Sequence, residues 1–327
     1  MINFRFHLVS LVAVFLALTI GIVVGASVVN QKIVDGLNNR IDTVEKNAEK
    51  QRSNNQVLSA SAKQLESYLE TAAPYVVEGR LTAVPVVLIA EHGVDRGAVR
   101  GLVTLLQDAG AQTPAIVWLQ SKWLLDKPDE RTQLAQIVGV DAASSSLRAQ
   151  ALKALADRLG TAVSVASGGP SSTTTTTVKS STPTDLVAAL TSGGFVSIEK
   201  AGASGTTDLS TFPQVGARVV LVSGEASDLA PAPVLVSLAT ELATLRVPTV
   251  AAEVYRATDG QPPRGTVLKP IRDDRALDIS VSTVDDVDLV QGQVAVALAV
   301  AEAGEAKIGH YGYGSGADQA LPAWSGP

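Results

Sequence analysis

Residues 84–108 read VPVVLIAEHGVDRGAVRGLVTLLQD, and this stretch decides the fold. Residues 84–90 are apolar without alternation, the pattern of a strand covered on both faces rather than one. Residues 95–108 place Val99, Leu102, Val103, Leu105 and Leu106 at helical spacing on one face. The same strand-then-helix unit recurs downstream. Ala115–Leu119 is the next strand, and residues 130–138 and 147–159 carry helical patterns. Strands then follow at 195–198, 217–222, 248–254 and 279–284, with helices at 233–245 and 288–303. Alternating apolar strands and helices define the α/β class, here a Rossmann-like domain over residues 81–303 with a mainly parallel sheet. Within it, SGGPSSTTTTTVKSSTPT at residues 167–184 is a low-complexity loop with almost nothing to anchor a core, though its hydroxyls could carry sugars. Residues 304–327 form a Gly-rich, aromatic C-terminal arm, extended or mobile.

Towards the N-terminus the character changes. Residues 8–29, LVSLVAVFLALTIGIVVGASVV, are 22 residues without a charge. At ~1.5 Å per helical residue this run crosses a hydrocarbon core of about 30 Å. It reads as a single transmembrane helix preceded by a short cytoplasmic leader, residues 1–7. A cleaved secretory signal is the competing reading, since Val24, Gly25 and Ala26 make an acceptable cleavage site. The length of the apolar core favours retention. Lys and Arg do not set the orientation, because Arg5 faces Lys32, Arg40 and Lys46 across the span. An N-terminal apolar segment usually starts export, which puts the N-terminus in the cytoplasm and the body outside the plasma membrane. Outer membranes are crossed mainly by barrels, so an apolar helix argues for the inner bilayer.

Residues 30–73 carry Val34, Leu37, Ile41, Val44, Ala48, Gln51, Asn55, Leu58, Ala62, Leu65, Leu69 and Ala72 in steps alternating between three and four. That spacing keeps one seam on a partner helix in a coiled coil. Gln51 and Asn55 weaken the seam but penalise shifted registers. Inside the apolar run, Ala17, Gly21 and Gly25 recur every four residues and clear one face for a second helix. Together these features predict a parallel homodimer, or a heteromer through the same seam, with Leu37, Ile41, Val44, Leu58, Leu65 and Leu69 at the contact. A lone amphipathic helix packed on its own body is the alternative.

The usual signatures of chemistry are missing from the sequence. The turn EHGVDRG after the first strand is no phosphate cradle, and the GxGxG at Gly312, Gly314 and Gly316 follows a helix instead of opening one. There is no GxSxG; Ser223 ends a strand, with His92 or His310 as the only bases on offer in the body. Asp273, Asp274, Asp278, Asp285, Asp286 and Asp288 cluster, yet Arg272 and Arg275 among them would repel a cation. Asp285 and Asp286 read as caps for the last helix. His7 suits a membrane interface; His92 and His310 are weak metal candidates, His92 lying where open parallel sheets bind ligands. Copper(I) prefers sulfur, and the chain has no cysteine and one methionine. Absence of cysteine fits an exported domain without disulfides and a reducing compartment equally well. We expect no enzyme, no resident cofactor and no nucleic-acid partner.

FRFHLVSLVAVFLALTIGIVVG at residues 4–25, STVDDVDLVQGQVAVALAVAEA at 282–303 and GHYGYG at 309–314 resemble the actinobacterial copper transporter family, the MctB-like proteins. The resemblance covers nearly the whole chain. It implies an envelope protein of copper efflux and homeostasis, with copper as the transported ion. The body's strands are short and continuously apolar, unlike the alternating segments of about ten residues in outer-membrane barrels. One apolar helix per chain therefore makes a pore only by oligomerising. The competing class is a coiled-coil scaffold at the division site that regulates or recruits a peptidoglycan hydrolase, working through a membrane or cytosolic partner protein.

Overall fold

The computed structural model describes residues 4–166, 186–203, 205–209, 216–229, 232–256, 260 and 262–323. The chain divides into two compact units, Met1–Ser67 and Tyr68–Pro327. A single helix, α1, runs Phe4–Val77. Its segment Phe4–Ala26 is long and apolar enough to cross a membrane, with a mean hydropathy of 2.7. That segment starts and ends a few residues before the 8–29 run. Thr19, within this segment, returns its hydroxyl to the Phe15 carbonyl at 2.7 Å, which satisfies that donor inside the helix.

The second unit is a mixed α/β body. In chain order it contains β1 (Val86–Glu91), α2 (Arg96–Asp108), β2 (Ala115–Leu119), α3 (Pro128–Val138), α4 (Leu147–Ala166), α5 (Leu186–Ser192), β3 (Val196–Lys200) and β4 (Arg218–Ser223). There follow α6 (Ser237–Thr244), β5 (Thr249–Glu253), α7 (Lys269–Asp273), α8 (Arg275–Asp278), β6 (Ser282–Val284), α9 (Val290–Ala303) and β7 (His310–Tyr311). The strands form one sheet in the order β3-β2-β1-β4-β5-β6-β7. Every pairing is parallel except β2 with β3.

Both faces are covered, which is why the strands carry no polar alternation. On one face Leu88, Trp118, Val220 and Ala252 pack with Val99 and Leu102 of α2, Ala295 and Val296 of α9, and Ala73 and Val77 at the end of α1. On the other, Ile89, Val117, Leu221 and Ala251 meet Leu134 of α3, Leu152 of α4, Leu190 of α5 and Leu238 of α6. The buried residues of α2 are Val99, Leu102, Val103, Leu105 and Leu106, the face its spacing predicted. The last turns of α1 thus belong to the body, and the seam residues Leu69 and Ala72 are half-buried in the single chain.

The Ser/Thr-rich stretch at 167–184 lies outside the described residues. Part of the C-terminal arm is extended and is tied to the body. His310 and Tyr311 add an edge strand beside β6, pairing Thr283 with His310 and Val284 with Tyr311.

Candidate functional site at the carboxyl edge of the sheet

Register aligns the ends of the central strands. Ala90 pairs with Val222, Ser223 with Glu253, and Ala252 with Val284. Glu91, Ser223, Glu253 and Asp285 therefore stand side by side, one residue past an apolar layer of Ala90, Val222, Ala252 and Val284. Those four apolar residues all face one core. The period of two turns the next residue of each strand to the opposite face. Glu91 and Glu253 belong to no motif in the sequence. Their signal is that each is the first charge after an apolar run, in VVLIAE and TVAAE, and becomes visible once the strands are set in register.

This row is buried. Glu91 is 2% exposed, and Glu253, Asp285 and Asp286 are fully enclosed. Ser223 and Ser227 both donate to Glu91 Oε2, at 2.5 and 2.7 Å, leaving Oε1 without a partner among the described residues. Burial outweighs the two serine donors and pushes the Glu91 carboxyl up to about 7. No side chain donates to either carboxyl oxygen of Glu253 or Asp286 among the described residues, and the Gly265 backbone offsets only part of the effect of burial on Glu253. Burial, then the adjacent Asp285 charge, push Glu253 up to about 8 and Asp286 up to about 7. An enclosed carboxylate whose donors do not offset the loss of water is costly, so these three groups hold protons through the acid range and release them near neutrality.

Asp285 is the opposite case. It accepts from Arg272 Nη2 at 2.9 Å and from the backbone N–H groups of Tyr313 and Gly314 at 2.9 Å each. Arg272 also donates to Thr283 Oγ1 at 2.8 Å and to the Ser315 carbonyl at 2.8 Å. Arg264 grips Asp288 with both terminal nitrogens at 2.6 and 3.0 Å and lies over the Tyr255 ring, 4.4 Å from its centroid. The acidic cluster is therefore an internal clamp on the C-terminal arm, and the expectation that Asp285 and Asp286 cap the last helix is overturned. The N-cap of α9 is Leu289, with no side-chain cap. Asp285 is turned towards the arm and Arg272, and Asp286 lies under Gly292, whose missing side chain makes room for it. Asp274 is the residue that caps, accepting from Ala276 and Leu277 at the start of α8.

The histidines lie apart. His92 follows β1 in the centre of the sheet and His310 sits on the edge strand β7. His92 Nδ1 meets Asp228 Oδ2 at 2.5 Å, and the Asp228 backbone N–H donates to the His92 carbonyl at 2.8 Å. These bonds tie together the loops leaving β1 and β4, where the direction of sheet building reverses. His92 Nε2 has no hydrogen-bond partner among the described residues. His310 is enclosed and engaged at both nitrogens. Nε2 faces two acceptors, the Asp278 carbonyl at 3.2 Å and its Oδ1 at 2.9 Å, so it carries the hydrogen. Nδ1 is 2.8 Å from Thr283 Oγ1. Among the described residues no three His, Cys, Asp or Glu side chains converge to hold a metal ion.

The remaining signatures resolve structurally. Ser223 donates to the Glu91 carboxyl, and no imidazole reaches it among the described residues, so no Ser-His pair forms at the sheet edge. At α2 the Asp95 carboxylate accepts from Gly97 N at 2.6 Å, placing a negative charge where a phosphate would bind. The glycines of the GxGxG serve close packing: Gly312, at φ +121°, lies against Asp285, and Gly314 against the Arg264 backbone.

Fold and site together define a mixed α/β protein with one apolar N-terminal helix, a mostly parallel sheet and an acidic, internally clamped carboxyl edge. The family model described as "Copper transport outer membrane protein, MctB" matches residues 1–322. The chain belongs to this family of copper transport proteins. It is similar to the proteins named copper transporter MctB of Mycobacterium bovis and of two Mycobacterium tuberculosis strains, each 23% identical over 318 residues, covering 97% of this chain and 98% of the relative.

Proposed function

We propose that this protein is a non-enzymatic, single-pass envelope protein that acts in copper efflux and homeostasis. The observation that carries the reading is the family match across residues 1–322, which takes in the apolar helix, the stripe and the body alike. Phe4–Ala26 is the anchor, with the N-terminus in the cytoplasm and the body beyond the membrane. The open sheet supports a helical anchor over a barrel. Its strands have two to six residues and lie under helices on both faces, where a spanning barrel strand needs about nine to eleven residues facing lipid. The strand order, reversing between β1 and β4, supports a Rossmann-like body.

Copper enters this reading as cargo. His310 is committed to the fold, whereas His92 presents Nε2 outward with Nδ1 oriented by Asp228, the second-sphere arrangement that fixes an imidazole for a metal. One such nitrogen makes a passing contact rather than a storage site, so the protein hands copper on, or positions a partner that does. A deletion strain complemented with the wild-type chain tests this by cellular metal content and microscopy. Raised copper in the deletion strain, returned to normal by the chain, is the expected result. Normal copper with elongated or unseparated cells would replace the reading by the division-site scaffold that recruits a peptidoglycan hydrolase.

A further inference from the structure

Beyond its apolar segment α1 presents Val34, Leu37, Ile41, Val44, Leu58 and Leu65, each solvent-exposed in the single chain, from 45% for Ile41 to 67% for Leu58. With Ala48, Gln51, Asn55 and Ala62 they complete an unbroken alternation of three- and four-residue steps. We propose that this face, residues 34–65, docks a second copy of the same chain as a parallel, in-register two-helix stalk. The direction rests on the anchor reading above, since two chains held by Phe4–Ala26 in one bilayer run the same way.

Charge and polarity beside the seam select the occupant and its register. Arg40 lies just before the seam residue Ile41, and Glu45 just after Val44. In a parallel in-register pair these flanking positions meet across the interface, Arg40 of one copy against Glu45 of the other, twice by symmetry. The seam's own polar residues then face their equivalents, Asn55 on Asn55 and Gln51 on Gln51, each amide supplying both a donor and an acceptor. Slipping the pair by one heptad sets Arg40 against Arg52 and buries Asn55 against Ala48 or Ala62 without a partner. Coulomb repulsion and an unsatisfied amide both oppose that slip. A second copy in register satisfies every one of these groups. The outer positions Asp42, Lys46, Glu49, Ser53 and Lys63 are polar and stay in water.

The chain has no cysteine, so single substitutions report contacts without background. Full-length Leu58→Cys and Leu65→Cys, reconstituted in phosphatidylcholine vesicles and oxidised with diamide, are expected to cross-link about fivefold or more above the outward controls Lys46→Cys and Ser53→Cys. In the Leu58→Cys background, Arg40→Glu or Glu45→Arg alone lowers the cross-linked fraction, and the two together restore it. Equal cross-linking from seam and outward positions overturns the proposal, as does failure of the charge swap to restore it. Carbonate extraction of the same samples reads the anchor separately. Protein that stays in the membrane but does not cross-link removes the paired stalk alone, and protein that washes free removes the anchor and the stalk's direction with it.

Discussion

At the scale of the residue, the carboxyl edge of the sheet divides acids into two kinds. Glu91, Glu253 and Asp286 are enclosed and short of donors, so their folded-state affinity for protons exceeds that of the unfolded chain. The folded form binds more protons than the unfolded one between the ordinary carboxyl range and about 7 to 8, so stability must fall as pH rises through that window. It is fully present below the unfolded values. For Glu91 alone the loss is on the order of 3 kcal/mol. Urea denaturation of the body should therefore give a lower midpoint at pH 9 than at pH 6. Glu253→Gln, neutral at every pH, should be more stable than the wild type at pH 9 and show a shallower slope; an unchanged slope would contradict the assignment. Asp285 is of the other kind, held by Arg272 and two backbone N–H groups. Asp285→Ala leaves the Arg272 guanidinium enclosed without its counter-charge and is expected to cost about 3–5 kcal/mol, read as a denaturation shift. The acidic cluster was visible in the sequence, and so was its conflict with Arg272 and Arg275. The capping role assigned to Asp285 and Asp286 failed because proximity to a helix start says nothing about a long-range cation or an arm folding back from residues 311–315.

At the scale of the element, apolar runs carried most of the fold. Ala115–Leu119 and the buried face of α2 match their patterns because burial on a two-sided sheet leaves the same mark on sequence as on structure. Three features left no such mark. β3 runs antiparallel to β2, and strand direction depends on the path of the chain through α3, α4 and α5. The short helices α7 and α8 bury only Ile271 and Leu277, too few for a period to show. β7 is two residues long, and its place comes from Arg272 and Asp285, distant in the chain. The Gly-rich arm is thus held by polar contacts as well as by Tyr311, which is buried in the apolar core. Gly312→Val would drive a side chain into Asp285 and should release the arm, seen as new protease cleavage between residues 305 and 323 while the remaining body stays folded. Persistent protection of that segment would show that Asp285 is not what holds it.

At the scale of the whole molecule, an apolar helix and an α/β body are joined in one chain of the MctB family. The body's own chemistry is sparse: enclosed acids, one imidazole with an open nitrogen, and no group of three metal-holding side chains among the described residues. Location is central to the proposed role, in which an anchored body acts where copper crosses. The test is a comparison of copper content in a deletion strain complemented either with the full chain or with residues 27–327 exported by a cleavable signal. The full chain should return copper to the wild-type level, and the released body, though secreted and folded, should leave it raised. Restoration by the released body would contradict the claim that this protein works in copper handling as an anchored membrane protein.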